Sequence, residues 1–256
     1  MTQPAPGLVD VAAPRQQAAV RAVALLLHGG RDRSMQPVRA NQLAVLRMVP
    51  IARRIAAAGH GELAVVRLRF GVRGWNGAQM SPVRDANWAV EQLAERYPGR
   101  PIGLLGHSMG ARTALRVAGQ QGVRSVAGFA PWLPAHEPID QLAGRQVLLA
   151  HGDRDRVTSA ASTARYAEQL RAGGMAASFV SIRGDGHAML RRAALWHDLA
   201  VGFLIGTLLP DLLPELLPDL SPEPLPDPLS DSAQSGRAGT PNYLRDVIRG
   251  VARITI

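Results

Sequence analysis

Short apolar runs alternate with longer amphipathic stretches along most of the chain, and this alternation constrains the fold more than any other feature. The apolar runs are AVALLL (22–27), ELAVVRLRF (62–70), PIGLL (101–105), VRSVAGFA (123–130), QVLLAHG (146–152) and AASFVSI (176–182). Helix-like segments with a period near 3.6 lie between or after them, at about 38–58, 83–97, 108–120, 160–172 and 188–205. Strands that alternate with helices pair in parallel through crossovers. The sequence therefore predicts an α/β fold, a mostly parallel, doubly wound sheet flanked by helices.

Composition divides the chain into four segments. Residues 1–20 are predicted to be an N-terminal extension, and residues 21–206 the α/β domain. Residues 207–240 are a Pro-rich acidic linker, in which LPDL-like units recur. A proline at every fourth position removes helix donors and creates clashes, so the linker is predicted to be extended or disordered. Residues 241–256 are predicted to form a short amphipathic helix that docks on the protein itself, with self-association, partner contact or binding to a membrane surface as the alternatives.

The net charge of +9 raises the question of nucleic-acid binding, but the arrangement of the charges argues against it. All 29 basic residues are arginines, scattered over several predicted helices, and aromatic residues make up only 4% of the chain. A nucleic-acid surface would interleave the two residue types. The absence of cysteine excludes disulfides and a thiol nucleophile. The start lacks a secretory pattern, and no apolar run reaches the ~20 residues of a transmembrane helix, so we expect a cytoplasmic protein without a transmembrane segment.

The pattern G-x-S-x-G occurs as GHSMG at 106–110, between the predicted strand PIGLL and a helix-like segment. In this context the strand must turn into a helix within a residue or two, which exposes the Ser108 hydroxyl at the top of the sheet. Gly106 and Gly110 suit that turn because side chains there would collide with backbone. Ser108 is therefore the candidate nucleophile.

A serine nucleophile needs a base, and imidazole titrates in the useful range. His187 lies in RGDGHAML, a glycine-flanked loop after the last predicted strand, and is the candidate base. His28 and His151 end strands and are expected to brace loops. The loop HGDRDRV at 151–157 offers Asp153 and Asp155 as the acid that orients the base, and spacing alone does not choose between them.

These motifs, in the order Ser, Asp, His, resemble the α/β-hydrolase superfamily over roughly residues 20–206. GHSMG matches the nucleophile elbow, and HGDRDRV is similar to the family pattern H-G-x-x-D-x-x-V, which carries the acid role to Asp155. The segment LLLHGG resembles the loop that supplies one oxyanion amide, here that of Gly30. The second amide is then that of Met109. The resemblance implies no metal or organic cofactor.

Two departures from the family pattern change what we expect of the sheet and of the active site. The short N-terminal segment predicts that one or two of the usual leading strands are missing. Only PWLPAHEPIDQLAGR (131–145) separates two predicted strands where many relatives insert a helical lid. The site is therefore expected to be open and to fit small, soluble, ester-like substrates, as in the dienelactone-hydrolase or esterase type.

Residues that would contact the substrate are predicted from their loops. Trp75 and Trp132 are candidates for the wall of an acyl pocket, and Arg31 and Arg33 for holding a substrate carboxylate. The sequence thus predicts a serine hydrolase acting on a carboxylic ester or thioester. A peptidase, a lactone hydrolase, an acyltransferase and a non-catalytic binding scaffold remain the alternatives.

Overall fold

The molecule is built around one eight-stranded sheet. The computed structural model describes residues 4–12, 17–213, 247 and 253–256. The strands follow one another across the sheet in the order β1-β3-β2-β4-β5-β6-β7-β8, and all neighbours are parallel except β1 and β3. Their bounds are β1 Gly7–Ala12, β2 Ala22–Leu27, β3 Leu63–Arg69, β4 Ile102–His107, β5 Val123–Phe129, β6 Gln146–Gly152, β7 Ala177–Ile182 and β8 Arg253–Thr255. The predicted parallel α/β architecture is confirmed.

Helices cover both faces of this sheet. Their bounds are α1 Leu43–Leu46, α2 Met48–Ala58, α3 Ser81–Arg96, α4 Met109–Val117, α5 Ala160–Ala172 and α6 Ala193–Leu208. Alternate strand residues supply two cores: Leu25 packs with residues of α3, α4 and α5, whereas Leu26 packs with residues of α2 and α6. Because both faces are buried, the central strands read as continuous apolar runs.

The N-terminal segment, predicted only as an extension, contributes a strand. Strand β1 pairs antiparallel with β3 at the sheet edge. Its alternating side chains explain the pairing, since Leu8 packs against one core and Val11 against the other. Asp10 also forms an ion pair with Arg96 of α3 at 2.8 Å.

The C-terminal residues depart from the predicted amphipathic helix over 241–256. Arg253–Thr255 form β8, which pairs in parallel with β7, so the helix prediction is wrong for these residues. Val247 is fully buried, and its carbonyl accepts a hydrogen bond from Ser178 Oγ at 3.1 Å. The rest of that predicted helix lies outside the described residues, as does the linker from residue 214 onward.

The α/β domain runs past its predicted end at residue 206. Helix α6 continues to Leu208, and a 3-10 turn at Pro210–Leu212 follows it. Leu209 and Leu212 are buried in the core with α2 and α6, and Asp211 forms an ion pair with Arg21 at 2.7 Å. The first proline-containing unit of the repeat is therefore part of the folded domain.

The loop that follows β5 is short. Residues 130–145 contain only one 3-10 turn, Asp140–Leu142, before β6 begins. The prediction that no helical lid is inserted between β5 and β6 agrees with this short loop. Among the described helices, none combines the length and the apolarity that crossing a membrane requires.

The strand order reverses between β2 and β4, because the chain passes from β2 to β3 on one side and then returns to β4 on the other. At such a point the loops that leave neighbouring strands diverge and open a crevice at their carboxyl ends. The loop after β2 carries Gly30 and the turn after β4 carries Ser108. The fold thus brings two of the predicted site segments to one crevice.

Candidate active site

Ser108 occupies a sharp turn between β4 and α4. Its backbone lies at φ 56° and ψ −117°, a conformation that residues with a side chain rarely adopt. Holding a residue there costs on the order of 1–3 kcal/mol, which the surrounding structure must offset. The Ser108 amide donates to the Phe129 carbonyl at 2.9 Å, and its own carbonyl accepts from the amides of Ala111 and Arg112. These bonds fix the turn and leave the hydroxyl at its apex.

Two glycines make this turn sterically feasible. A Cβ at Gly106 would overlap the backbone of Gly110, and a Cβ at Gly110 would overlap the Leu27 carbonyl oxygen. The first turn of α4 therefore packs directly on the ends of β4 and β2. This close approach is the reason why the sequence has glycine on both sides of the serine.

His187 and Asp155 lie in hydrogen-bond contact. His187 follows β7, and its Nδ1 is 2.8 Å from Oδ2 of Asp155, which follows β6. Since a carboxylate only accepts hydrogen bonds, Nδ1 carries a proton and Nε2 is the free base when the ring is neutral. Asp153 points elsewhere, because its Oδ1 accepts from the Gly184 amide at 2.6 Å. The geometry thus pairs Asp155, and not Asp153, with His187.

The Asp155 carboxylate is held ionised by its hydrogen bonds. Burial by itself would raise the pKa of Asp155, but bonds from the rings of His151 and His187 and from the amides of Thr158 and Val157 lower that pKa well below its usual range. Oδ2 also accepts from the Thr158 hydroxyl at 2.9 Å. The carboxylate is therefore a permanent negative charge beside the His187 ring.

A second buried acid shapes the loop that carries His187. Asp185, 2% exposed, accepts from the Gly186 amide at 2.8 Å, from the Arg192 amide at 3.1 Å and from the Trp196 indole at 2.8 Å. These bonds tie the loop to the start of α6. Burial opposes the ionisation of Asp185, but the bond from Trp196 and those from the amides outweigh it and lower its pKa. Asp185 therefore positions the loop without contacting the ring of His187.

His187 is held next to the serine turn through His107. The His107 and His187 ring centroids are 4.8 Å apart, and His107 Nε2 lies 2.9 Å from the His187 carbonyl oxygen. Among the described residues, neither His187 Nε2 nor the Ser108 hydroxyl has a hydrogen-bond partner. The final Ser108–His187 hydrogen bond is thus not made in this conformation. Such catalytic contacts commonly tighten only when a substrate is bound.

The two predicted oxyanion amides belong to segments that touch. A Cβ placed on Gly30 would overlap the Met109 side chain, and one on Gly29 would lie 3.4 Å from Ser108 Cβ. Within the described part of the chain, the amides of Gly30 and Met109 donate to no other group. Both amides therefore have no competing acceptor among the described residues.

Trp75 and Trp132 contact each other and a buried arginine. Their ring centroids are 5.9 Å apart at 90°, and Arg112 Cζ lies 3.8 Å from the Trp75 ring and 4.7 Å from the Trp132 ring. Trp75 is only 3% exposed and packs in the core against Arg112, and its role as a pocket wall stays a prediction. Trp132 is half-buried, and its amide bonds the Ser108 carbonyl at 3.3 Å, which keeps it beside the site.

Arg31 directly follows the oxyanion loop. Its amide donates to the Arg73 carbonyl at 2.8 Å, and its carbonyl accepts from the Trp75 amide at 2.9 Å, so its backbone is fixed. Arg31 and Arg33 are both exposed, and neither forms an ion pair within the described ranges. Among the described residues, both guanidinium groups are without an acidic partner.

The comparisons with known proteins agree with this architecture. The family model described as serine aminopeptidase, S33, matches residues 53–147, a stretch that includes Ser108 but ends before Asp155 and His187. No curated protein matches the sequence.

Solved structures share the fold at low sequence identity. An α/β serine hydrolase homologue from Coxiella burnetii is 18% identical, covers 77% of this chain and 89% of its own, and gives a TM-score of 0.55. XC6422 from Xanthomonas campestris, an α/β serine hydrolase without a lid, is 18% identical over 76% and 86%, with a TM-score of 0.56. Est1E from Butyrivibrio proteoclasticus, solved with ferulic acid, is 13% identical over 79% and 95%, with a TM-score of 0.58.

The chain has the α/β-hydrolase fold, so the resemblance read from the motifs is confirmed at the level of the fold. A hydrolase is the class of enzyme that this fold and the family match support.

Three residues around the candidate site were not singled out in the sequence analysis. Thr158 contacts both Asp155 and His187, Asp185 orders the loop, and the ring of His107 packs on that of His187. His107 and Asp185 lie inside the segments GHSMG and RGDGHAML, which is the one clue to their position. Their roles depend on contacts between loops that only the fold brings together.

Proposed function

We propose that this chain is a serine hydrolase that cleaves a carboxylic ester or thioester of a small substrate through an acyl-enzyme. The observation that carries the proposal is the 2.8 Å contact between His187 Nδ1 and Asp155 Oδ2, which leaves Nε2 as a base near the strained Ser108 turn. No metal ion or organic cofactor enters the mechanism.

In the first half of the reaction, Ser108 Oγ attacks the carbonyl carbon of the ester while His187 Nε2 accepts the hydroxyl proton. The Asp155 carboxylate stabilises the imidazolium that results. The amides of Gly30 and Met109 donate to the oxygen that becomes negatively charged, and each such donor contributes about 10²–10³ in rate in other hydrolases. Collapse of the tetrahedral intermediate breaks the bond to the leaving alkoxide or thiolate, which receives the proton from His187.

In the second half, water replaces the leaving group. His187 Nε2 accepts a proton from the water as its oxygen attacks the acyl carbon, and the same two amides stabilise the oxyanion. The bond to Ser108 Oγ then breaks, the serine regains its proton from His187, and the carboxylic acid leaves. The enzyme returns to its starting protonation state.

The surroundings of the site favour small and anionic esters. The short loop at 130–145 supplies no helical cover over the crevice, which favours a substrate without a long apolar chain. Arg31 and Arg33 place two exposed positive charges beside the oxyanion loop, where they would pair with a carboxylate on the substrate. Removing the Arg31 charge should then raise KM for an ester that carries a carboxylate more than for a neutral one.

An aminopeptidase is the second candidate, and the match to the serine aminopeptidase model favours it. An aminopeptidase must hold a free amino terminus, which calls for a carboxylate near the serine. The exposed residues next to the oxyanion loop include Asp32, but it lies between Arg31 and Arg33. Because positive charge exceeds negative charge there, we rank the aminopeptidase second to the esterase.

A fluorophosphonate probe tests whether Ser108 is an activated nucleophile. The native protein should become labelled, Ser108→Ala should not, and the control Ser162→Ala on α5 should label like the native protein. Equal labelling of Ser108→Ala and native protein, or no labelling of either, would leave a non-catalytic binding scaffold as the better explanation.

A substrate panel then separates the reaction classes. It contains p-nitrophenyl esters of increasing chain length, one thioester, one lactone and leucine p-nitroanilide, with hydroxylamine added in a parallel set to detect acyl transfer. The proposal expects the highest kcat/KM for short esters or the thioester. Faster cleavage of leucine p-nitroanilide than of every ester would establish the aminopeptidase instead.

A further inference from the structure

A pocket of about 260 Å³ lies on the α2 side of the sheet, between β3 and the segment that contains α1 and α2. Most of its wall is apolar, including Leu26, Val45 and Met48. Ligand pockets for drug-sized molecules measure about 300–1,000 Å³, so this pocket is sized for a smaller molecule. Neither Ser108, Asp155 nor His187 lines it, which makes it distinct from the candidate active site.

Two arginines on the same face of β3, Arg67 and Arg69, complete the wall, and no carboxylate lines it. The Nε atom of Arg67 is buried without a hydrogen-bond partner among the described residues. Arg69 makes one long bond, 3.5 Å from its Nη1 to the Val38 carbonyl oxygen. The Arg67 guanidinium therefore has no acceptor at Nε among the described residues, and an anion at its terminal nitrogens would stabilise the charge.

The electrostatics of the pocket strengthen this expectation. Burial lowers the pKa of the Arg67 guanidinium, and the nearby charge of Arg53 lowers it further. Arg67 and Arg69 together also disfavour a positive charge on His28, which forms part of the same wall. The protein thus concentrates positive charge here and provides no acidic side chain to balance it within the described lining.

We infer that this pocket binds a small monocarboxylate with a short apolar chain. The carboxylate would pair with the terminal Nη atoms of Arg67, because Nε is enclosed by the protein. The apolar chain would lie against Val45, Met48 and Leu26, whose burial by the ligand adds hydrophobic stabilisation. The site thus combines one charged anchor with an apolar wall.

The pocket also borders the oxyanion loop. His28 lines it and, at 2.7 Å, its Nδ1 contacts the Gly29 carbonyl oxygen. A carboxylate in the pocket would therefore sit beside the strand end that leads into Gly30. A carboxylate is also the product class of an ester hydrolase, but the binding proposal stands on the pocket alone and does not rest on the proposed function.

Isothermal titration calorimetry with octanoate on the full chain tests the proposal. The native protein should bind octanoate, and Arg67→Met should weaken binding roughly tenfold or more, because a charge-assisted bond is lost while the apolar stem is kept. Arg124→Met removes an equally positive, exposed residue of β5 and should leave the affinity unchanged. Octanol, which lacks the negative charge, should bind much more weakly than octanoate.

A second variant keeps the proposal testable if Arg67→Met proves unstable. Val49→Phe adds volume to the pocket wall from a half-buried position on α2 and should also weaken octanoate binding, with a circular dichroism spectrum like that of the native protein. Three results would overturn the proposal: no octanoate binding at millimolar concentration, equal affinities for Arg67→Met and Arg124→Met, or octanol binding as tightly as octanoate. A lack of esterase activity would not affect these measurements.

Discussion

Asp155 Oδ2 lies 3.1 Å from Nε2 of His151, a histidine whose side chain is fully buried. This is the same oxygen that His187 contacts, so two imidazoles share it. His151 is fixed in turn by Thr163, whose hydroxyl lies 2.8 Å from its Nδ1. A continuous series of contacts thus joins Thr163, His151, Asp155 and His187. It fixes the orientation of the Asp155 carboxylate.

Replacing His151 by leucine should lower kcat without a comparable change in KM. The variant removes one hydrogen bond to a buried carboxylate, and Asp155 would then hold His187 less rigidly. We expect a decrease in kcat of roughly tenfold, in line with the loss of one bond to a charged group. Steady-state kinetics with a short p-nitrophenyl ester would measure it.

The conservative variant His151→Gln separates positioning from general destabilisation. A glutamine amide can still donate to Asp155, so this variant should recover most of kcat. If both variants lose activity equally, or if the loss appears in KM, His151 does not act by orienting Asp155.

The substitution Gly30→Ala should damage the oxyanion site. A Cβ on Gly30 would lie 2.5 Å from the Arg73 carbonyl oxygen and would overlap the Met109 side chain, so the loop must move. Loss of one oxyanion donor costs about 10²–10³ in kcat in other hydrolases. Gly119→Ala is a matched control, because its nearest neighbour would be Gln141 Cβ at 3.3 Å. Unchanged kcat in Gly30→Ala would remove this loop from the mechanism.

The stability of the protein should fall as the pH is lowered from about 6.5 to 4. Burial lowers the pKa of His28 from its usual 6.5 to about 4, so the unfolded chain binds a proton at this position before the folded chain does. The resulting contribution is present above pH 6.5 and is lost on the way to pH 4; a shift of this size corresponds to roughly 3 kcal/mol. Urea unfolding at several pH values would measure the slope.

The variant His28→Gln should show a shallower slope over the same pH range, even if it is less stable at pH 7. His60→Asn, at an exposed turn with positive φ that asparagine tolerates, serves as the control. His107, whose pKa burial lowers to about 3, keeps part of the pH dependence in both variants. Identical slopes for His28→Gln and His60→Asn would contradict the assignment.

Removal of Glu137 should destabilise the fold. Its side chain is 1% exposed, accepts from Arg112 Nε at 2.8 Å and also pairs with Arg116. Glu137→Ala leaves the buried Arg112 without its counter-charge between the two tryptophans, which costs roughly 3–5 kcal/mol for a buried pair. Urea unfolding should show this loss, whereas the exposed Glu91→Ala should change stability by about 0.5 kcal/mol or less. Equal midpoints would mean that Arg112 needs no counter-charge.

The central sheet was predictable because its strands are buried on both faces and therefore read as apolar runs. The edge strands were not. Gly7–Ala12 has only a short alternating pattern, and Arg253–Thr255 is three residues that lie beside β7 for reasons of tertiary packing. Local sequence carries little information about such edges, because the partner strand determines the pairing.

The backbone positions of Ser108, in a sharp turn after β4, and of His187, in the loop after β7, were predictable because motifs fix the backbone there. The contact of His187 with Asp155 and not with Asp153 could not be read from spacing, since both residues follow the same strand. Trp75 was assigned to a pocket because it lies in a loop, but its contact with Arg112 draws it into the core. The position of a loop residue depends on partners that are distant in sequence. The spacing of residues along the chain does not identify those partners.

Strand β8 has a practical consequence for anyone who wishes to study the proline-rich segment by shortening the protein. The Ile256 amide bonds the Ser181 carbonyl at 2.9 Å, and the Arg183 amide bonds the Ile256 carbonyl at 2.7 Å. A stop codon placed before the segment would also remove β8. The edge of β7 would then carry backbone amides without partners. Excising the segment internally, with a spacer that lets the last residues return to β7, separates the two effects.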